Sequence, residues 1–233
     1  MSSTAPTVPA DGHVLVLRTS NADGTSRNNF RWPESGPVEC PDWEPTAECG
    51  HGLHGALHGE GNGDLFRWEA DARWQVVEVV ADEIVDLKRK IKFPRGVVVF
   101  SGDRLGATTY LSGHGGAGRA VIGGTATAGD SGTATAGDSG TATAGNDGTA
   151  TAGDRGTATA GDYGTATAGY RGTATAGNDG TATAGDRGVV ELRWYDGSRY
   201  RITVGYIGED GLLPGVAYRC DSAGEILPAQ VTA

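Results

Sequence analysis

Sixteen threonines stand out as the residues best placed to act together. They occur in pairs two apart, repeated every eight residues: Thr125 and Thr127, Thr133 and Thr135, Thr141 and Thr143, Thr149 and Thr151, Thr157 and Thr159, Thr165 and Thr167, Thr173 and Thr175, Thr181 and Thr183. In a strand, residues two apart share a face. Each T-A-T-A segment therefore presents two threonines on one side and two alanines on the other. A threonine row offers hydroxyls and methyls on a regular grid, about 6.7 Å along a strand and about 4.8 Å between strands. Such a grid forms and breaks no bonds and is a candidate binding surface; the alternative is that threonine is simply the outward residue best suited to a glycine–alanine solenoid.

A second cluster could bind a metal. Cys49, His51, His54 and His58 fall within ten residues, with Cys40 upstream. Thiolate and imidazole are the ligands zinc prefers, and a helix over 51–58 would put the three histidines on one face. The spacing matches no standard zinc module, and glycines at 50, 52 and 55 weaken a helix. The alternative is a loop with partly exposed histidines and two buried thiols. No cofactor is expected. The chain has no phosphate-binding loop, no G-x-S-x-G elbow and no nucleophile–base pair. The basic run LKRKIK (87–92) reads as a solvated strand edge.

The threonines need a scaffold that holds them in register. The unit G-T-A-T-A-G-x-x runs in eight copies over 124–187, with variable pairs DS, DS, ND, DR, DY, YR, ND and DR. Every other copy belongs to one series. Arg155, Arg171 and Arg187 recur at sixteen residues, as do Asn146, Asp162 and Asn178. A sixteen-residue coil of two strands accounts for this, because each kind of corner stacks on itself. The rival is a meander of hairpins, which leaves its alanine face uncovered; disorder is the further alternative for a glycine-rich repeat. A solenoid buries alanine from both walls, and four coils are expected. In the G-x-x-G corners, glycine is expected to take positive φ.

Around the array the expected organisation is a disordered tail (1–12), a globular α/β or mainly β domain (13–111), a glycine-rich joint and entry strand (112–123), the solenoid (124–187) and a strand-rich C-terminal cap (188–233). HVLVLR (13–18), WQVVEVV (74–80) and GVVVF (96–100) have strand character. VVELRWY (189–195) and RYRITVGYI (199–207) form a hairpin, with VAYRC (216–220) and EIL (225–227) as a further pair. Trp194, Tyr195, Tyr200 and Ile202 are expected to cover the last coil. The fold class is mainly β: a short solenoid preceded by a small α/β domain and closed by hairpins.

A formal charge of −10 over 233 residues argues against nucleic acid and anionic membranes as partners. No stretch reads as a membrane span or secretion signal, and three cysteines without framework spacing suggest a reducing, cytoplasmic setting. Homo-oligomers through solenoid faces or an exposed edge fit such a chain.

The octapeptide with its Thr-Ala-Thr motif resembles the repeats of bacterial ice-nucleation proteins, grouped in sixteen-residue coils. The resemblance implies a non-catalytic protein whose threonine rows order water or bind ice. Four coils are far fewer than the long arrays of that family, and a stacked tyrosine ladder is absent, since Tyr163 and Tyr170 are single. The array and its flanks are also similar to bacterial and phage proteins with longer GTATAG tracts. The leading domain faintly resembles ADP-ribosyltransferase folds, on Arg18-Thr19-Ser20, Gly52-Leu53-His54 and Glu78. That likeness implies an NAD-using site with Arg18 or His54 and Glu78 as its poles.

Overall fold

A computed structural model describes residues 9–229 and divides the chain into two compact units, to Ile122 and from Gly123. Most of the tail expected at 1–12 lies outside the described residues.

The first unit is built on seven antiparallel strands: β1 (His13–Ser20), β2 (Gly36–Glu39), β3 (Leu53–Leu57), β4 (Arg73–Val80), β5 (Val85–Asp86), β6 (Ile91–Phe93) and β7 (Arg95–Gly102), in the order β2-β7-β4-β1-β3-β6-β5. The three apolar runs named above are β1, β4 and β7, which supply the middle of the sheet. Alternation sorts their side chains. Leu15, Leu17, Trp74 and Val76 pack on one face with Ala107 and Leu111; Val16, Val77, Val79 and Val98 pack on the other with Trp32 and Phe93. The register of β7 against β4 slips between Val76 and Val77, and the extra residue lets Val99 and Phe100 both pack against the layer of Leu17, Val76 and Leu111. Helix α1 (Arg104–Leu111) starts where the Asp103 carboxylate accepts the Gly106 N–H at 2.7 Å, which caps an otherwise unpaired donor. Lys92 corrects the reading of LKRKIK as a solvated edge. It is completely buried, with Nζ donating to the Glu48 carbonyl at 2.9 Å.

The second unit is the solenoid. The repeats form β8 (Thr125–Thr127), β9 (Thr133–Ala136), β10 (Thr141–Ala144), β11 (Thr149–Ala152), β12 (Thr157–Ala160), β13 (Thr165–Ala168), β14 (Thr173–Ala176) and β15 (Thr181–Ala184). Odd and even copies go to different walls. One wall runs β8-β10-β12-β14 and the other β9-β11-β13-β15, each parallel and in register at sixteen residues. The alanines from Ala134 onward are all within 4% of full burial and form one continuous core. Four more strands close the stack: β16 (Val189–Tyr195), β17 (Tyr200–Tyr206), β18 (Ala217–Cys220) and β19 (Ile226–Pro228). β16 lies parallel on β14, with Val190 and Leu192 in the alanine columns, and turns back as the hairpin with β17; β18 lies antiparallel on β15 and pairs with β19.

Of the four residues expected to cover the last coil, Trp194 is half-buried and the other three are not. Leu192, Ile207, Leu212 and Tyr218 complete the core, whereas Tyr195, Tyr200 and Ile202 are exposed. Strand alternation explains the change, because Val190 and Leu192 take the inward phase of β16 and so turn Tyr195 outward.

The corners also differ. Positive φ falls on the second variable residue, not on glycine: Ser131, Ser139, Asp147, Arg155, Tyr163, Arg171, Asp179 and Arg187 all lie between 53° and 59°. This left-handed conformation costs roughly 1 kcal/mol per residue. It aims the N–H at the next coil, as Ser131 does toward the Asn146 carbonyl and Arg155 toward the Tyr170 carbonyl, both at 2.7 Å. The first variable residue bonds across coils too. Asp130, Asn146 and Asp162 each accept, through Oδ1, the backbone N–H sixteen residues on, at 2.8–2.9 Å; Asp138 and Asp154 do so on the other corner at 3.0 and 2.8 Å. Glycine is required for closeness instead. A Cβ on Gly161 would lie 2.5 Å from Asn146 Oδ1 and 2.7 Å from its backbone nitrogen.

Gly161→Ala is therefore expected to destabilise the solenoid by about 1–3 kcal/mol. Gly129→Ala, whose Cβ meets nothing within 4 Å, is expected to be tolerated. Thermal melts followed by far-ultraviolet circular dichroism distinguish the pair, and equal melting points would refute the cross-coil packing.

Candidate functional site

Each threonine row is built by backbone register. Thr125, Thr141, Thr157 and Thr173 are successive partners on one wall, with Thr127, Thr143, Thr159 and Thr175 beside them. The other wall carries Thr133, Thr149, Thr165 and Thr181, with Thr135, Thr151, Thr167 and Thr183. The first threonine of each strand from β8 to β13 is exposed, and from β9 onward the second is half-buried between its neighbours. Among the described residues, only Thr175 of the sixteen gives its hydroxyl to a protein partner, Glu191 Oε2 at 2.9 Å. The other hydroxyls are left to solvent. Glu191 is the in-register partner of Thr175, so it ends that row with a charge. On the second wall Ala217 stands opposite Thr183 and ends the row without a hydroxyl.

The corners flank these rows with charge. Arg155, Arg171 and Arg187 stack along one edge, and Arg187 pairs with its neighbour Asp186 at 3.7 Å. The side-chain ladder on that edge stops at Tyr170, which brings no carboxylate and instead lies under the Arg171 guanidinium at 5.1 Å. Sequence reading left the Asx ladder unnoticed. Its signal was present, since Asp or Asn fills the first variable position in every copy but one.

The candidates in the first unit do not assemble as a site. Residues 51–58 form strand β3 and a turn, not a helix, so the histidines part. Cys40 is buried with Sγ donating to Asp42 at 3.0 Å, Cys49 is exposed with the Lys90 ammonium at 3.1 Å, and His51 faces Asp42 at 3.2 Å. His58 lines a cavity of about 240 Å³ with His13 and His114. Among the described residues no three His, Cys, Asp or Glu side chains could share a metal ion. Only one of the two thiols expected to be buried is so.

Arg18 and Glu78 are separated by the pleat. Arg18 pairs with Gln75, and Glu78 with Leu15, whose side chain packs on the α1 face. Arg18 instead lies over the Trp32 ring at 3.4 Å, in the opposite layer, and donates to Gln75 Oε1 at 2.6 Å. Its guanidinium is a packing element held by an aromatic plane and an amide. Glu78 accepts the Ala10 N–H at 3.1 Å. Arg18 and Glu78 are thus not brought together as the poles of an NAD site, because one strand register places them on two faces.

His54 sits beside this core with Nε2 buried and unpartnered. Burial first, then the charges of Lys90 and Lys92, hold its pKa down to about 4. The neutral ring is favoured in the folded state, so stability is complete above about 6.5 and is lost as pH falls toward 4. The loss is expected to be on the order of 1–2 kcal/mol for a ring partly screened by water. Urea titrations at pH 7 and 4.5, read by tryptophan emission, check this. His54→Gln should flatten that part of the profile, and an unchanged slope would show that other groups cause it.

The family model described as "Domain of unknown function (DUF7666)" matches residues 14–112, the first unit's sheet and helix. Over 101 residues, 42% of this chain, the sequence is 42% identical to an ice nucleation protein of Xanthomonas campestris pv. translucens and 43% identical to one of Pseudomonas fluorescens, covering 6% and 8% of those proteins. It is 38% identical over 103 residues, 43% of this chain, to ice nucleation protein InaU of Pantoea ananas, covering 10% of it. The chain thus spans a tenth or less of the length of the curated relatives it matches. No solved structure matches. With a solenoid of sixteen-residue coils and threonine pairs along both walls, the chain is a β-solenoid repeat protein that is similar to the bacterial ice nucleation proteins over about two-fifths of its length.

Proposed function

We propose that this chain is a non-catalytic repeat protein that meets ice or ordered water through its threonine rows. The observation that carries the reading is the in-register stacking of Thr on Thr across both walls, with hydroxyls left to solvent. A surface that organises water must be rigid and repeat at a fixed spacing. Backbone ladders on both walls and side-chain ladders at the corners supply the rigidity. Strand pairing supplies the spacing, about 4.8 Å in one direction and about 6.7 Å in the other. The methyl beside each hydroxyl keeps the surface from binding single waters too strongly to match a lattice. The names of the similar proteins support the same reading.

The size of the array sets the form of the activity. A wall of five parallel strands, β16 included, is only about 19 Å across the strand direction. Adsorption to an existing ice surface, or weak ordering of water, suits such a patch better than efficient nucleation.

The test compares two double variants, Thr141→Gln/Thr157→Gln on the first wall and Thr149→Gln/Thr165→Gln on the second. All four side chains are exposed, so circular dichroism should match the parent. Thermal hysteresis and droplet freezing of the purified full chain are expected to exceed those of an inert protein of equal size, and to drop to that level when the wall that meets ice is changed. Parent activity no greater than the control's would overturn the proposal.

A further inference from the structure

Among the sheet edges in the described residues, one is long and unguarded. β2 has four residues including Pro37, β5 has two, β8 three, β9 four, and β19 three ending in Pro228. Short strands and prolines are the usual means by which a sheet edge avoids pairing with another chain. β17 has neither. It is seven residues long, contains no proline, and pairs on one side only, with β16.

Its outward face is apolar as well. Tyr200, Ile202, Val204 and Tyr206 alternate along it and are 51%, 65%, 44% and 55% exposed. Monomeric proteins seldom leave such a contiguous row uncovered. The inward face is anchored: Thr203 accepts from Trp194 Nε1 at 2.9 Å and donates to the Gly224 carbonyl at 3.0 Å. The strand is therefore held straight and ready, and pairing would require little ordering.

We propose that β17 pairs antiparallel with β17 of a second copy of this chain, about a two-fold axis at Thr203. The sequence of the strand is self-complementary in that register. Tyr200 of one copy falls opposite Tyr206 of the other, Ile202 opposite Val204, and Thr203 opposite itself. Aromatic and branched aliphatic pairs across strands are favourable. Charge fits too. Arg201, the one charged residue in β17, falls opposite Gly205, and its guanidinium is already paired with Asp196. No like charges meet. Such an isologous contact closes on itself and yields a dimer, not a fibre. It joins two six-stranded walls into one sheet of twice the width. The area covered is on the order of 800–1,000 Å² in total, at the low end for specific interfaces, which fits a weak and reversible dimer. The inference is independent of whether the threonine rows bind ice.

Sedimentation velocity of the full chain over a range of concentrations is expected to show a reversible monomer–dimer equilibrium. Ile202→Lys/Val204→Lys should weaken it at least about tenfold while leaving circular dichroism unchanged. In a Cys49→Ser background, Ile202→Cys mixed with Val204→Cys should cross-link severalfold faster than either alone, because only the mixture brings the two thiols opposite. A chain that stays monomeric at high concentration overturns the proposal and leaves the edge to a strand from a different protein. A dimer indifferent to the lysines, or equal cross-linking of the mixture and of each variant alone, overturns it as well.

Discussion

The distance between the two walls of the solenoid is the constraint from which the rest of that unit follows. Only a methyl fits inward, so alanine fills every interior column and is buried almost completely. Alanine brings little apolar area, at about 25 cal/mol per Å², and side-chain burial alone cannot hold the stack. Hydrogen bonds running from coil to coil take over that work. Strand ladders do so along the walls, and left-handed residues with Asx side chains do so at the corners. Glycine then follows from closeness. A Cβ at the repeat glycines would meet the neighbouring coil at under 3 Å at position after position.

Larger side chains return only where the stack must end. Val190, Leu192, Ile207, Leu212 and Tyr218 extend the alanine core, and two hairpins turn parallel walls into antiparallel edges. That transition sets the limits of the threonine rows, which finish at Glu191 on one wall and at Ala217 on the other. Rigidity, spacing and extent of the candidate surface are thus all consequences of how the coil closes. The first unit works differently. It is a sheet with apolar layers on both faces, and it uses buried cations as packing elements, Arg18 against Trp32 and Lys92 against loop carbonyls.

The two units differ in how far their sequences could be read. In the strands of the repeats local preference agrees with the global fold, β-branched threonine outside and methyls inside, while the corners depart from it by placing positive φ on the second variable residue. The hidden period of sixteen in Arg155, Arg171 and Arg187 already distinguished one corner from the other. In the first unit, strands could be placed from their apolar runs, but roles could not be assigned. Arg18, His54 and Glu78 carry reactive groups on neighbouring strands, and whether they meet depends on register and pleat.

Sequence alone determined the coil, its walls and its outward threonines, because period and residue size are local properties repeated often enough to leave few consistent geometries. It also determined which segments form the hairpins that close the stack. Tertiary structure decided where positive φ falls, which residues complete the core, how Lys92 and Arg18 come to be buried, and that β17 is left as an open apolar edge. Those outcomes depend on which side of a strand faces which neighbour. A shift of one residue reverses every side chain, and only packing against distant parts of the chain selects the register.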